Sequence, residues 1–265
     1  VLFRSGTFGL FIIAAAALLF FGTQQLRKMP VDVFPEFAPP KVEIQTEGPG
    51  MTSTEVEELI TIPMEDQLIA LLDKAGWNSK SAPVFVQSFE PGSLKYMKSK
   101  GLKTKMVQLI DGDDVDLRTG KVTYALPSDR PYDWTIMGDK RNFDVMVTPE
   151  GLAEIKTYAD GIGPWKRYII STKGTIGTDG KPVDVNGDGK INDADTTSLP
   201  PTRLVADAHK AGLFVHPYTF RSEAPGLLSD YKGDAKAEYK RFFALGVDGL
   251  FSDFPDTAVA ARDGQ

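Results

Sequence analysis

The strongest constraint on this chain is an alternation that starts near Leu68 and runs to its end: short apolar stretches separated by amphipathic ones. The apolar stretches read PVFVQSF (83–89), KMVQLI (105–110), ADGIGPW (159–165), LFVHPYTF (213–220) and VDGLFSDFP (247–255). Between them, TPEGLAEIKTYA, TRLVADAHKAG and AEYKRFFALG carry apolar residues at helical spacing. Thr148 followed by Pro149 supplies an N-cap and a first-turn proline, and Gly212 and Gly246 stop their helices. Apolar strands joined through helices lie parallel, in a sheet that helices cover. The expected fold is therefore α/β.

Composition narrows the function classes. With 265 residues, 42% hydrophobic and 25% charged, the chain can bury one large core or two small ones. A net charge of −6 argues against a nucleic-acid partner, which would normally need a basic face. The absence of cysteine excludes disulfides, thiolate zinc sites and a thiol nucleophile.

The amino-terminal part has a different character. Residues 5–26 are uncharged, and the run GLFIIAAAALLFFG predicts a spanning or anchoring helix, with residues 6–23 as the contact with a membrane and 1–29 as the unit. A signal peptide is the alternative. With Arg4 before the run and Arg27 and Lys28 after it, orientation is weakly set. The expected location is membrane-anchored, with the remainder periplasmic or extracellular. The first residue is Val rather than Met, and LFRS (2–5) matches what a common sequencing-adapter end would encode, so a missing start and an assembled gene are expected.

Next come Pro30, Pro35, Pro39 and Pro40, an alternating strand KVEIQTE, the turn GPG, and a helix capped at Ser53 or Thr54 with Glu57 or Glu58 in its first turn. From about residue 6 to 66, this order resembles the start of heavy-metal efflux pumps of the resistance-nodulation-division class. Residues 30–66 would be a porter-like strand and helix, with a junction in ITIPMEDQLIALLDKAGWNSK (60–80). Such pumps need many spans, so one span implies no transport.

From about 67 to 265 the resemblance is to glycerophosphodiester phosphodiesterases, carried by VFVQSFEPGSLKYM, MVQLID, YADGIGPWKRYII, LVADAHKAGLFVHPYTFRSE and YKRFFALGVDGLFSDFPDTAVAAR. That family implies a (β/α) barrel whose active site lies at the carboxyl ends of its strands. About five of the eight strands would be retained, leaving an incomplete barrel with exposed apolar surface at the open edge. Residues at strand ends are the candidate pocket: Gln87, Phe89, Trp165, Tyr218, Arg221, Asp253 and Phe254. Arg221 suits a phosphodiester because a guanidinium matches its oxygens, with a surface ion pair as the alternative.

The resemblance also implies hydrolysis to glycerol 3-phosphate and an alcohol by two histidines, with a divalent metal held by carboxylates. The family's HRG, HD, E-x-D and E-x-K positions have no counterparts before Val84. The chain has only two histidines, His209 in DAHKAG and His216 in VHPYTF, and neither matches. The expectation is a family member that has lost turnover and does not bind the catalytic metal. A glycerophosphodiester would be a partner only if activity survives.

A separate motif, DVNGDGKINDAD (184–195), fits a twelve-residue calcium loop with oxygens at alternating positions and glycine at the sixth. Its ligands would be Asp184, Asn186, Asp188, the Lys190 carbonyl, Asn192 through water, and Asp195. A structural Ca2+ is expected there, with a solvated polar turn as the alternative. Asp113, Asp114 and Asp116 read as a solvated face in a long loop. A transport fragment without activity and a calcium-binding structural protein complete the alternatives to a phosphodiesterase-like chain.

Overall fold

The computed structural model describes residues 61–126 and 129–264. The expected membrane run, the porter-like strand and the cap at Ser53 or Thr54 lie outside these residues. Among the described residues no helix is long and apolar enough to cross a membrane.

The described residues open with helix α1 (Ile62–Lys74), followed by β1 (Phe85–Ser88), α2 (Pro91–Ser99) and β2 (Lys105–Ile110). A hairpin of β3 (Asp114–Asp116) and β4 (Lys121–Thr123) leads to α3 (Tyr132–Ile136) and α4 (Pro149–Lys156). Then come β5 (Gly161–Pro164), β6 (Thr172–Gly174), β7 (Thr196–Ser198), α5 (Leu204–Lys210), β8 (Phe214–Val215), α6 (Ala235–Ala244) and α7 (Pro255–Arg262). The main sheet has the order β1-β2-β5-β8, and every pair in it is parallel. The predicted α/β character therefore holds.

The boundaries differ where the backbone bends. LFVHPYTF is a strand only at Phe214–Val215, after which Pro217 interrupts the ladder; pairing resumes as isolated bridges at Tyr218 and Phe220. VDGLFSDFP is not a regular strand. It runs beside the same segment through Asp248 N–H to Val215 O, Phe251 N–H to Pro217 O and Phe220 N–H to Phe251 O. The fifth stave is present as an irregular edge. The stretch 109–134, expected as a long loop, contains in its described residues the β3–β4 hairpin and the start of α3.

Helix signals worked as their chemistry requires. The Thr148 hydroxyl accepts the Gly151 amide at 3.1 Å, capping α4 behind Pro149. Gly212 takes φ +78°, and the paired bonds Gly212 N–H to His209 O and Leu213 N–H to Ala208 O close α5. These stops turn Leu152, Ile155, Ala208 and Leu213 into one core with Met106, Ile110, Ile162 and Val215. The opposite face of the sheet is aromatic. Gly161 leaves the space that the Phe214 ring fills, and Phe85 packs edge-on against Phe214 and His216. Phe85 keeps 43% of its surface exposed, in keeping with an apolar open edge at β1.

Within the proposed junction at 60–80, Ile62–Lys74 is one unbroken helix, which ends at Ala75 with Gly76 at φ +71°. Asp66 accepts the Tyr96 hydroxyl at 2.9 Å, Ser93 donates to the buried Glu65, and Ile69 and Leu72 join the core. The packing of the helix onto the fold thus includes residues from Glu65 onward.

Candidate active site

The carboxyl ends of β2, β5 and the segment after β8 meet in a cavity of about 360 Å³. Three backbone links fix them in register: Trp165 N–H to Ile110 O, Tyr218 N–H to Pro164 O, and Lys166 N–H to Tyr218 O. The Tyr218 hydroxyl donates to Asp111 Oδ1 at 2.9 Å, and Tyr168 donates to the Asp111 carbonyl at 2.6 Å. Burial first, then the Asp111 carboxylate, push the Tyr218 phenol well above its ordinary value, so it stays protonated and donates. Phe89 packs edge-on against Tyr218 with ring centroids 6.2 Å apart. Its carbonyl is held by Nε2 of Gln108, a wholly buried amide whose Oε1 accepts from Tyr158.

Basic groups line this cavity, but each is tied to a carboxylate. Lys166, 4% exposed, bonds Glu238 at 3.0 and 3.2 Å. Burial lowers the lysine and raises the glutamate, which is the expected sign when desolvation outweighs attraction. Arg167 pairs with Asp193 at 2.6 Å. Arg221 pairs with Asp253 through Nε at 3.0 Å and Nη2 at 2.8 Å. Trp165, Tyr218 and Arg221 therefore line one cavity, with Phe89 beside Tyr218.

The other expected pocket residues do not join. Gln87 is exposed on β1. Asp253 is exposed and reaches the cavity only through Arg221, which realises the ion-pair alternative for that arginine. Phe254 is the N-cap residue of α7 and does not line the cavity. Asp111, Lys166 and Arg167 were missed by the sequence reading. They directly follow LI in MVQLID and W in GPWKR, so position at a strand end was the signal that could have found them.

Neither histidine reaches the cavity. His209 sits on α5 and bonds Asp248, whose carboxylate also holds the Val215 amide. His216 lies between the rings of Phe85, Phe214 and Phe251, and burial pushes its imidazole below its ordinary value.

In the calcium-like loop, Asp184 accepts the amides of Gly187 at 2.6 Å and Gly189 at 2.7 Å, and Gly189 takes φ +84° as the sixth position requires. Asn186 accepts the Asp188 amide, and Asp188 accepts that of Lys190. Asp195 is turned inward, accepting from Val185, Asn186 and Asn192, and these amides hold its carboxyl below the ordinary range. Asn192 caps the short turn at 193–195 rather than facing the loop centre. Among the described residues no three His, Cys, Asp or Glu side chains gather as a metal-binding group.

The model of the glycerophosphoryl diester phosphodiesterase family matches residues 24–257. The chain is 29% identical over 243 residues to glycerophosphodiester phosphodiesterase GDPD6 of Arabidopsis thaliana, covering 86% of this chain and 54% of that protein. It is 29% identical over 200 residues to the glycerophosphodiester phosphodiesterase of Haemophilus influenzae, covering 73% and 46%. GDPDL1 of Arabidopsis thaliana is 36% identical over 115 residues, covering 42% and 12%. The chain thus spans about half the length of the first two of these curated relatives. The family match begins inside the stretch read as pump-like, and nothing in it supports a pump origin for residues 24–66.

Proposed function

This chain belongs to the glycerophosphoryl diester phosphodiesterase family, and we propose that it carries the substrate-contacting rim of an incomplete (β/α) barrel without the groups that turn substrate over. The ligand class is a glycerophosphodiester, taken from the family and from the relatives' names. The observation that carries the loss of turnover is the position of the chain's two histidines. One is tied to Asp248 outside the cavity, and the other is packed among aromatic rings. Neither can pass a proton to a phosphodiester lying between Trp165, Tyr218 and Arg221. Each of the cavity's cations is paired with a carboxylate. The test is hydrolysis of glycerophosphocholine by the purified chain, for which no release above a buffer control is expected.

The loop 184–195 is proposed to take a structural Ca2+. The support is the closed twelve-residue turn, in which Asp195 bonds the second and third amides. Asp184, Asn186 and Asp188 already use oxygens on the loop's own amides, and a carboxylate oxygen retains a second lone pair for a cation. A calcium titration should show saturable binding that Asp184→Ala and Asp188→Ala each weaken at least tenfold; binding unchanged in both variants contradicts the site.

Two further readings rest on sequence alone. Residues 6–23 are proposed to anchor the chain to a membrane, with the remainder periplasmic or extracellular, because the run is long and uncharged. A pump-derived origin for the first residues rests on their resemblance. Long reads through codons 55–80 of the source DNA decide it, since two separate flanking genes would establish a fusion artefact.

A further inference from the structure

Two carboxyl groups face each other at the point where α3 meets the end of β1. Glu90 directly follows Phe89 and accepts the amides of Tyr132 at 3.1 Å and Asp133 at 2.7 Å, the first turn of α3. Asp133 returns the interaction by accepting the Gly92 amide at 2.7 Å, in the first turn of α2. Each acid thus caps the other's helix. The second oxygen of Asp133 is buried and has no hydrogen-bond partner.

The charges on the elements around this pair are already committed. Arg130 bonds Asp129, Arg141 bonds Asp139 and reaches Glu154 of α4, and Lys95 of α2 reaches Glu154. On α1, Asp66 accepts from Tyr96 and Glu65 from Ser93. No cation among the described residues is bonded to Glu90 or Asp133. Burial raises the Glu90 carboxyl above its ordinary value, and the charge and hydrogen bonding of Asp133 raise it further against the lowering effect of the two amides.

We propose that Glu90 and Asp133 form a pH-operated latch, in which one shared proton holds α3 against the start of α2 and its loss sets two partly buried carboxylates against each other. The shared proton would satisfy the orphaned Asp133 oxygen. Two carboxylates in one site do not both ionise readily, and the strain of doing so falls on the contact between helices. The sign follows from the raised folded value. The latch is complete below the ordinary carboxyl range and is lost as pH rises through the folded value of Glu90. Opening would release the segment 129–142, which already exposes Tyr132, Ile136 and Met137, from its place beside Phe89.

The test is hydrogen–deuterium exchange of the full chain across pH 4 to 9, corrected for intrinsic exchange, following peptides over 129–142 and over β2. Protection of the α3 amides should fall about tenfold or more with rising pH, while β2 stays protected. Glu90→Gln and Asp133→Asn supply a permanent amide donor in place of the proton. In either variant the pH step over 129–142 should vanish with β2 unchanged. A flat profile in the parent chain, or a step that persists in a folded variant, overturns the latch.

Discussion

Glu238→Ala is expected to destabilise the fold by about 3–5 kcal/mol, because it strands the Lys166 ammonium in the core. Glu238 is fully buried and Lys166 nearly so, and among the described residues no other carboxylate bonds that ammonium. The pair joins α6 to the residue after Trp165, so its loss loosens the helix that backs the cavity. The opposed directions of the two groups show that burial costs each its charge. Replacing both, Lys166→Met with Glu238→Leu, should therefore recover most of the loss. Urea unfolding of the single and double variants measures this. A double variant as unstable as Glu238→Ala would mean that the pair contributes more than mutual neutralisation.

Phe220→Ala is expected to cost a similar amount, about 3–5 kcal/mol, through the cavity it leaves. Phe220 is wholly buried, stacked on Tyr239 at 5.2 Å and edge-on to Phe242 at 4.8 Å, with the Lys166 ammonium 5.3 Å from its ring. Its backbone also bonds Phe251 and Asp253, which holds the irregular fifth stave to the sheet. Because Phe220 and the ion pair share neighbours, their losses should not add, and a combined variant reads the coupling directly. Thermal or urea unfolding of Phe220→Ala checks the magnitude; a loss below 1 kcal/mol would mean that the site collapses without a cavity.

What was legible from the residues followed the strength of the local signal. KMVQLI is a strand over the same six positions because its continuous apolar run is buried on both faces. Thr148, Pro149 and Gly212 act through local hydrogen bonds and backbone angles, so their roles needed no tertiary information. VDGLFSDFP looked equally strand-like, yet it sits at an edge where only scattered backbone bonds hold it. The site was half legible. Trp165, Tyr218 and Arg221 converge because they end neighbouring staves, whereas Phe254 is the N-cap of the next helix and lies away from the cavity. The pairing of Glu90 with α3 joins residues about forty positions apart, and no periodicity reports that.

The central claim is that a substrate-contacting rim survives here without proton-transfer groups. Incubating the purified chain with glycerophosphocholine and added Mg2+ or Ca2+, and measuring glycerol 3-phosphate, tests it most directly. The account predicts release equal to the buffer control, with either metal. Release above that control, abolished by Arg221→Ala, would contradict it and place a working acid and base among residues assigned here to structure.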